Sequence, residues 1–270
     1  MRLPLPIVTG LFAVATLGVL FAQKPFKEWP ALEYEGFALP KTWNQPAEWT
    51  RARLRYPDLV GYPNRGDFPG YWTMDYPRAD RHVLEGVRRL TRIDARSVEQ
   101  VVSLDGTDEV NNWPNLYAVE VGYMNLPQDQ AQQLREYLLK GGFLMVDDFH
   151  STREWNVFMA SMDRVFPDKH WVDIPNEDTI FHVLYDLNDR IQVPGAQFLD
   201  TGRVYEKDES GRPERWRAIY DEKGRILVAI CFNMDLGDAV EHSDNPKYPE
   251  RFSAMAFRIY TNYFMYDLTH

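Results

Sequence analysis

Short apolar runs typical of β-strands alternate with amphipathic helical segments over residues 50–170, and this alternation constrains the fold more than any other feature of the chain. Residues 50–56 place apolar and polar side chains in turn, as in a strand. Residues 115–121 and 143–146 are apolar runs typical of buried strands, and a helical pattern between them stops at Gly141. Strands that alternate with helices predict right-handed βαβ units. We therefore expect an α/β fold with a mostly parallel sheet and helices on both faces.

The pattern changes after residue 175. Short strands are expected at residues 192–199, 203–206 and 216–220, followed by a hairpin turn at 221–225, a strand at 226–232 and a last helix near 249–267. Strands joined by such short turns pair in antiparallel fashion. The C-terminal half is therefore predicted to add a small antiparallel extension to the sheet.

The first residues carry an export signal. Arg2 precedes an almost uninterrupted apolar run that ends at Ala22, which predicts a signal peptide or an N-terminal anchor over residues 1–22. Residues 23–49 are rich in proline and tryptophan and predict a lead-in arm that docks on a single α/β domain over residues 50–270. We expect an exported protein, periplasmic or extracellular. It would contact a membrane only through an uncleaved N-terminal segment, as an anchor in the inner membrane.

Charge and motif content exclude several classes of function. The formal net charge of -10 would repel a phosphate backbone, so no nucleic-acid partner is expected. The single cysteine, Cys231, excludes an intrachain disulfide and a zinc site built from cysteines. No Gly-x-Ser-x-Gly, P-loop or Gly-x-Gly-x-x-Gly motif indicates a serine hydrolase or a nucleotide-binding protein. No cofactor is evident, although the carboxylates described next would suit a divalent metal ion.

Polar side chains follow the apolar strands, at the edge where an open α/β sheet binds its ligands. The candidates for catalysis are Asp147, Asp148 and His150, directly after the strand at 143–146. Two adjacent carboxylates suit a general base or a hard metal ligand, and a histidine can add a nitrogen ligand. The alternative is structural. One Asp would cap the following helix, the other would pair with an arginine such as Arg153, and the histidine would form an ordinary hydrogen bond.

Further residues are candidates for ligand binding at the same rim: Arg55, Tyr56, Trp72, Asp75, Tyr76, Glu120, Asn233 and Asp235. The segment 72–76 combines aromatic faces with a carboxylate, as ligand pockets do, and a packed loop is the alternative. Arg53 and Arg55, two positions apart on one strand, could bind an anionic ligand or neutralise the Asp pair, and neutralisation is the expected role. We interpret the acidic segment 235–242 as a solvated loop, because its spacing does not match an EF-hand.

Several separated motifs together resemble one known family. They are Arg53-Leu-Arg-Tyr56, Trp72-Thr-Met-Asp-Tyr-Pro77, Leu134-Arg-Glu-Tyr-Leu138, Gly141-Gly-Phe-Leu-Met-Val-Asp-Asp-Phe149, Val165-Phe-Pro167 and Tyr266-Asp-Leu-Thr269. In this order, they resemble the bacterial DUF4159 family across residues 50–270. The resemblance implies a class I glutamine-amidotransferase-like, flavodoxin-like fold. It also implies that Asp147-Asp148-Phe149 stands where catalytic members of that fold carry a cysteine, so that this chain is not a glutamine amidotransferase.

Three functions are compatible with these features. The first is an exported domain that binds a small polar ligand or a partner at the C-terminal rim of the sheet. The second is a hydrolase-like enzyme, with or without a metal ion, in which Asp147 or Asp148 is the base or ligand. In that enzyme His150 or Glu120 would assist and Arg55 would stabilise negative charge. The third is an envelope assembly or scaffold protein, whose partner would be another envelope protein.

Overall fold

The computed structural model describes residues 25–31, 37–59 and 69–270. The segment predicted as a signal peptide or anchor, residues 1–22, lies outside these ranges, as does most of the loop after the first strand. Among the described residues, no helix combines the length with the apolar character that crossing a bilayer requires.

Seven strands within the described residues form one sheet. They are β1 (Ala52–Arg55), β2 (Gln100–Ser103), β3 (Asn115–Val119), β4 (Phe143–Asp147), β5 (Trp171–Asp173), β6 (Arg215–Tyr220) and β7 (Ile226–Phe232). Their order is β2-β1-β3-β4-β7-β6-β5. The first five strands in this order pair in parallel, whereas β6 is antiparallel to both β7 and β5. The mostly parallel sheet with a small antiparallel extension in the C-terminal half is therefore confirmed.

Helices cover both faces of this sheet. They are α1 (Arg78–Leu90), α2 (Gln128–Leu139), α3 (Ser151–Val165), α4 (Phe198–Thr201), α5 (Leu236–Glu241) and α6 (Glu250–Thr269). Short 3-10 helices lie at Tyr71–Thr73, Asp108–Asn112, Val121–Tyr123, Thr179–Phe181 and Glu209–Gly211. Residues of α1, α5 and α6 form one apolar core with Tyr117 and Met145, and residues of α2 and α3 form another with Leu116 and Leu144. Because β3 and β4 are buried on both sides, residues 116–119 of β3 and 143–146 of β4 are uninterrupted apolar runs.

Two predicted strands of the C-terminal half are wrong. Residues 192–199 and 203–206 contain no strand. Pro194 cannot donate a hydrogen bond to a sheet ladder. Gln192 instead uses its side-chain amide, which donates to the carbonyl oxygen of Asn233 at 2.7 Å. The segment is therefore fixed by side-chain contacts to the end of β7 rather than by strand pairing.

The segment 235–242 is not the solvated loop that its composition indicates. It contains helix α5, and the side chains of Asp235 and Glu241 are buried. Asp235 is the N-cap of this helix and accepts a hydrogen bond from the backbone N of Asp238 at 2.8 Å. The acidic side chains therefore face the domain, at the carboxyl end of the sheet.

The lead-in arm contacts the domain through two of its tryptophans. Trp49 is buried and packs against Phe264, with 5.0 Å between ring centroids. Trp29 packs edge-on against Trp72 of the loop after β1, with 5.9 Å between ring centroids. Trp43 is exposed. The arm therefore contributes one ring to the core and another to the rim of the sheet beside β1.

Two buried arginines at the start of the sheet share one carboxylate of α1. Nε of Arg51 lies 2.9 Å from Oδ1 of Asp80, and a terminal nitrogen of Arg53 lies 2.7 Å from Oδ2. Arg53 also donates to two backbone carbonyls of the loop before α1, at 2.9 Å each. This triad joins β1, the loop and α1. The expectation that Arg53 neutralises the Asp147-Asp148 pair is therefore wrong, because Arg53 is paired with Asp80.

Asp80→Asn should lower the free energy of unfolding by about 3–5 kcal/mol, because it leaves two buried guanidinium groups without their carboxylate. Asp94→Asn makes the same change at an exposed position and should cost less than about 0.5 kcal/mol. Urea unfolding followed by tryptophan fluorescence measures both values. A loss at Asp80→Asn as small as that of the control would show that the triad does not stabilise the fold.

Candidate functional site

Three neighbouring parallel strands end in the same way, with a polar residue in left-handed backbone. β3 is followed by Glu120 (φ 50°), β4 by Asp148 (φ 51°) and β7 by Asn233 (φ 63°). Residues other than glycine rarely adopt positive φ, and such strain is concentrated at functional sites. The three sharp turns lie at the carboxyl end of the sheet, which is the edge where open α/β sheets bind ligands.

Asp147, the last residue of β4, lies beneath these turns. Its Oδ2 accepts hydrogen bonds from the backbone N of Leu236 at 2.9 Å and of Gly237 at 3.0 Å, and so satisfies free N–H groups at the start of α5. Burial, reinforced by the neighbouring charge of Asp148, raises the pKa of Asp147 to about 8. The geometry corresponds to the helix-capping alternative for Asp147, but on α5 rather than on the helix that follows.

Asp148 and His150 form a buried pair. Nε2 of His150 lies 3.1 Å from Oδ1 of Asp148, and the backbone N of His150 donates to Oε2 of Glu154 at 2.6 Å. Because an ionised carboxylate only accepts, this contact favours the tautomer with the proton on Nε2 and a lone pair on Nδ1. Nδ1 is buried and has no hydrogen-bond partner in the part of the chain that the structure describes. Burial lowers the pKa of His150, which keeps the ring neutral near pH 7.

Lys207 reaches into a group of carboxylates. Its Nζ lies 3.5 Å from Oε1 of Glu154 and 4.0 Å from Oε2 of Glu206. Burial alone would lower the pKa of Lys207, but the surrounding carboxylates, Glu120 first among them, outweigh burial and raise it. Glu120 is itself buried, and its Oε2 has no hydrogen-bond partner among the described residues. Burial and the charge of Asp148 raise the pKa of Glu120.

Three further carboxylates converge where α5 begins. Oxygen atoms of Asp75, Asp235 and Asp238 all lie within 4.8 Å of one another. Burial raises the pKa of Asp235, and the negative charges of Asp148, Asp238 and Asp75 raise it further. These charges repel one another, so the ionised form of the group is unfavourable without a counter-ion.

Two glycines leave room for this convergence. A Cβ atom at Gly195 would lie under 3.0 Å from oxygens of three carboxylates, those of Asp235, Asp238 and Glu206. A Cβ atom at Gly237 would lie equally close to Oδ2 of Asp75. Real Cβ atoms do not approach oxygens so closely, so any larger residue at either position would push carboxylates apart. The convergence therefore requires glycine at both positions.

These groups make up one acidic site, with seven carboxylates and two basic side chains: Asp75, Glu120, Asp148, Glu154, Glu206, Asp235 and Asp238, with His150 and Lys207. Asp148 couples its two halves, because its charge contributes to raising the pKa of both Glu120 and Asp235. The site opens to solvent at Asp238 and Glu206, whose side chains are 21% and 20% exposed. A small cation can therefore reach a site whose carboxylates outnumber its basic groups.

Some predicted residues belong to the acidic site, and others support it. Asp75, Glu120, Asp148, His150 and Asp235 are part of it. Tyr56 lies beside it, with its hydroxyl 2.7 Å from the carbonyl oxygen of Val119 and 2.9 Å from that of Glu120. The side chain of Asn233 accepts a hydrogen bond from the backbone N of Ser151 at 3.0 Å and donates to two backbone carbonyls, so it connects loops around the site.

The remaining predicted residues lie outside the acidic site, at the β1 side of the rim. Trp72 and Tyr76 are buried, and the hydroxyl of Tyr76 accepts a hydrogen bond from the backbone N of Trp29 at 3.4 Å. These rings pack the loop after β1, which corresponds to the packed-loop alternative. Arg55 is exposed, and its guanidinium lies against Trp29 and Trp72.

The sequence-based prediction misses four residues of the site: Glu154, Glu206, Lys207 and Asp238. Glu154 carries a recognisable signal, because a glutamate in the first turn that bonds back to the N-cap backbone is a known form of helix cap. Glu206 and Lys207 carry no such signal. They lie in a stretch without helix or strand, and only the tertiary fold brings Lys207 to Glu154.

Replacing Asp147 by Asn should change how stability depends on pH. The pKa of this carboxyl is about 3.9 in the unfolded chain and about 8 in the folded chain. Between these two pH values the folded protein therefore holds a proton on Asp147 that the unfolded chain has lost. The wild type should therefore lose stability relative to Asp147→Asn as pH rises from 5 to 8, by up to about 1.4 kcal/mol per pH unit. Urea unfolding at several pH values measures the difference. The amide oxygen of Asn can still accept the two N–H groups of α5.

The control for this titration is Asp94→Asn, on an exposed side chain, which should follow the wild type across the same pH range. A constant difference between wild type and Asp147→Asn from pH 5 to pH 8 would mean that Asp147 does not carry a proton in the folded protein.

A family model described as "Domain of unknown function (DUF4159)" matches residues 52–268. The matched range begins at β1, ends within α6 and includes every residue of the acidic site. A search of the curated proteins finds no match. The family model covers most of the chain, so the chain belongs to the DUF4159 family, as its sequence motifs indicate.

Proposed function

We propose that the protein binds a hard divalent cation in the acidic site, and that the cation holds a small polar ligand at the C-terminal rim of the sheet. The observation that carries this proposal is the convergence of the Asp75, Asp235 and Asp238 oxygens within 4.8 Å. Calcium binds oxygen at about 2.3–2.6 Å, so two ligand oxygens on opposite sides of the ion lie about 4.8 Å apart. The three carboxylates are therefore close enough to share one cation.

The charge of the site favours a cation over an anionic ligand. Burial and mutual repulsion raise the pKa of Glu120, Glu206 and Asp235, so these groups hold protons to unusually high pH. A divalent cation would replace the protons and let neighbouring carboxylates ionise together. Oxygen donors of this kind select calcium, magnesium or manganese rather than softer metals.

A buried nitrogen gives a second, independent reason to expect a ligand. Nδ1 of His150 is buried without a hydrogen-bond partner among the described residues, and such groups carry a free-energy cost unless a ligand or water satisfies them. Glu206 and Asp238 act electrostatically on this ring, so it lies near the proposed cation ligands. A polar ligand held by the cation would therefore have a hydrogen-bond acceptor within the same site.

The order of the parallel strands supports the scaffold that the family resemblance implies. β2-β1-β3-β4-β7 corresponds to the order 2-1-3-4-5 of flavodoxin-like sheets, which bind ligands beyond the carboxyl ends of their strands. We therefore propose an amidotransferase-like scaffold in which Asp148, in a left-handed turn between β4 and α3, stands in the place of the nucleophile. Export of the protein, with residues 1–22 as signal or anchor, is part of the same proposal.

Calcium titration of the purified chain after treatment with EDTA tests the cation site. Calorimetry should show one saturable site. Asp235→Asn should raise the Kd for calcium by at least roughly tenfold to hundredfold, the loss that changes outside the direct ligands already cause. The substitution removes one charge of the cluster, whereas the amide oxygen of Asn can still cap α5. Affinity should rise with pH, because the cation competes with a proton for Asp235.

Asp200→Asn, on the exposed face of α4, is the matched control and should bind calcium like the wild type. Thermal unfolding gives a second readout, since calcium at about 100 times its Kd should stabilise the wild type by about 2.7 kcal/mol. If calcium, magnesium and manganese all fail to bind the wild type, or bind Asp235→Asn equally well, the cation proposal is wrong.

The Asp148–His150 pair favours metal-assisted hydrolysis as a second candidate function. Asp148 orients the ring, and the neutral Nδ1 can take a proton from a water molecule, whose oxygen then attacks the carbonyl carbon of an ester. The bond from that carbon to the alcohol oxygen breaks, and the proton on Nδ1 passes to the leaving oxygen. The proposed cation would supply positive charge beside the developing anion.

His150→Gln should lower the rate of this hydrolysis by about 100-fold or more, the usual contribution of a general base. p-Nitrophenyl acetate with calcium or manganese serves as the probe, and His170→Gln, at an exposed position, is the control. Equal rates for the wild type and both variants would reject a hydrolytic role for His150.

A further inference from the structure

We infer a second binding site, for a small carboxylate ligand, at the edge of the sheet formed by β1 and β2. A cavity of about 740 Å³ opens beside the carboxyl ends of these strands, and pockets for small molecules measure about 300–1,000 Å³. Arg55, at the end of β1, lines it together with Trp29 and Lys27 of the lead-in arm. None of the residues that define the acidic site lines this cavity, so the inference does not depend on the proposed cation.

The guanidinium of Arg55 is held in position by aromatic rings. Its Cζ lies 4.7 Å from the ring centroid of Trp29 and 5.9 Å from that of Trp72. Contacts of this kind restrict the side chain but leave its N–H groups available to an acceptor. Arg55 is exposed, and within residues 25–31, 37–59 and 69–270 it has neither a hydrogen-bond acceptor nor an ion-pair partner.

Arginines in similar surroundings of this protein do bind an acceptor. Four other guanidinium groups among the described residues lie against at least two aromatic rings, and each has a protein acceptor: Arg51 and Arg53 bind Asp80, Arg190 binds Asn176, and Arg217 binds Asp173. In each of them aromatic rings orient the guanidinium, and an oxygen atom of a neighbouring side chain binds its N–H groups.

Arg217 gives the closest comparison. Its Cζ lies 4.4 Å from the ring centroid of Trp155 and 4.0 Å from that of Trp171, and its Nε lies 3.0 Å from the carboxylate of Asp173. Arg55 has the same pair of tryptophan contacts but faces a cavity. A ligand carboxylate bound there would take the role that Asp173 has for Arg217, with the two parallel hydrogen bonds that a guanidinium can donate.

The other charges of the cavity restrict the ligand to one anionic group. Asp58, Asp105 and Glu109 also line it, so a polyanion would be repelled. Asp58 accepts a hydrogen bond from the backbone N of Tyr71 at 3.2 Å, and Asp105 accepts one from the backbone N of Thr107 at 3.0 Å. These two carboxylates are therefore engaged by their own loops and do not compete for Arg55.

Neutral polar groups complete the lining. Gln100, Ser103 and Gln130 offer both donors and acceptors. Groups of this kind suit hydroxyl or amide groups on the body of the ligand. The cavity therefore fits a small acid with one carboxylate on a polar body, such as a sugar acid or an acylated amino acid.

Titrations of the full chain with glucuronate and with N-acetylalanine, in EDTA so that no cation contributes, test this inference. Calorimetry should show saturable binding of at least one of the two acids, and the Nε–H resonance of Arg55 should shift in the ¹⁵N spectrum. Arg55→Ala should raise the Kd by about tenfold or more, as expected for loss of a hydrogen bond to a charged group. Arg55→Lys should also bind more weakly, because it keeps the charge but loses the planar fork.

Arg92→Ala, at another exposed arginine, should leave the Kd unchanged, and uncharged glucose should not bind. The inference is overturned if neither acid binds the wild type, if Arg55→Ala binds as well as the wild type, or if glucose binds as tightly as glucuronate. Because these measurements exclude divalent cations, their failure would not bear on the acidic site, and failure of calcium binding would not bear on Arg55.

Discussion

A continuous series of buried polar contacts lies beneath the acidic site, and the geometry of the site depends on it. Asp80 of α1 binds Arg51, whose Cζ lies 3.7 Å from the ring centroid of Tyr117 and 4.5 Å from that of Tyr260. Both tyrosine hydroxyls lie 3.4 Å from Oδ2 of Asp147, which in turn binds the N-terminus of α5. Each buried group is costly unless its neighbour is in place. The series therefore positions α1, α5 and α6 relative to the sheet. Because Asp235 and Asp238 lie at the start of α5, it also positions two carboxylates of the proposed cation site.

The strained turns at the rim are stabilised by their neighbours. The backbone N of Glu120 donates to the carbonyl oxygen of Asp147 at 3.2 Å, and that of Asn233 donates to the carbonyl oxygen of Phe149 at 3.1 Å. Two of the three left-handed residues, Glu120 and Asn233, thus have a backbone hydrogen bond to a residue at or just beyond the end of β4. Packing of the buried sheet offsets the strain and orients the polar side chains before any ligand arrives, which is the arrangement that efficient binding and catalysis require.

The guanidinium of Arg55 lies apart from the acidic site on the same rim of the sheet. Carboxylates gather beyond β3, β4 and β7, whereas Arg55 stands at the end of β1 beside β2. Arg51, just before β1, and Arg53, within β1, are buried against Asp80 and so do not neutralise the acidic site. Both proposed sites lie at the edge where a parallel sheet brings the ends of its strands together.

The sequence by itself determined the α/β class and the mostly parallel sheet, because a strand buried on both faces needs an uninterrupted apolar run and an amphipathic helix needs a periodic one. It also indicated Glu120, Asp148 and Asp235 as site residues, since polar groups after parallel strands reach the same rim. Only the tertiary structure decided that Arg53 pairs with Asp80, that the acidic segment with Asp235 is a buried helix, and that Lys207 joins Glu154. These contacts join residues far apart in the chain, and burial, which sets their charge, is a property of the packed domain rather than of local sequence.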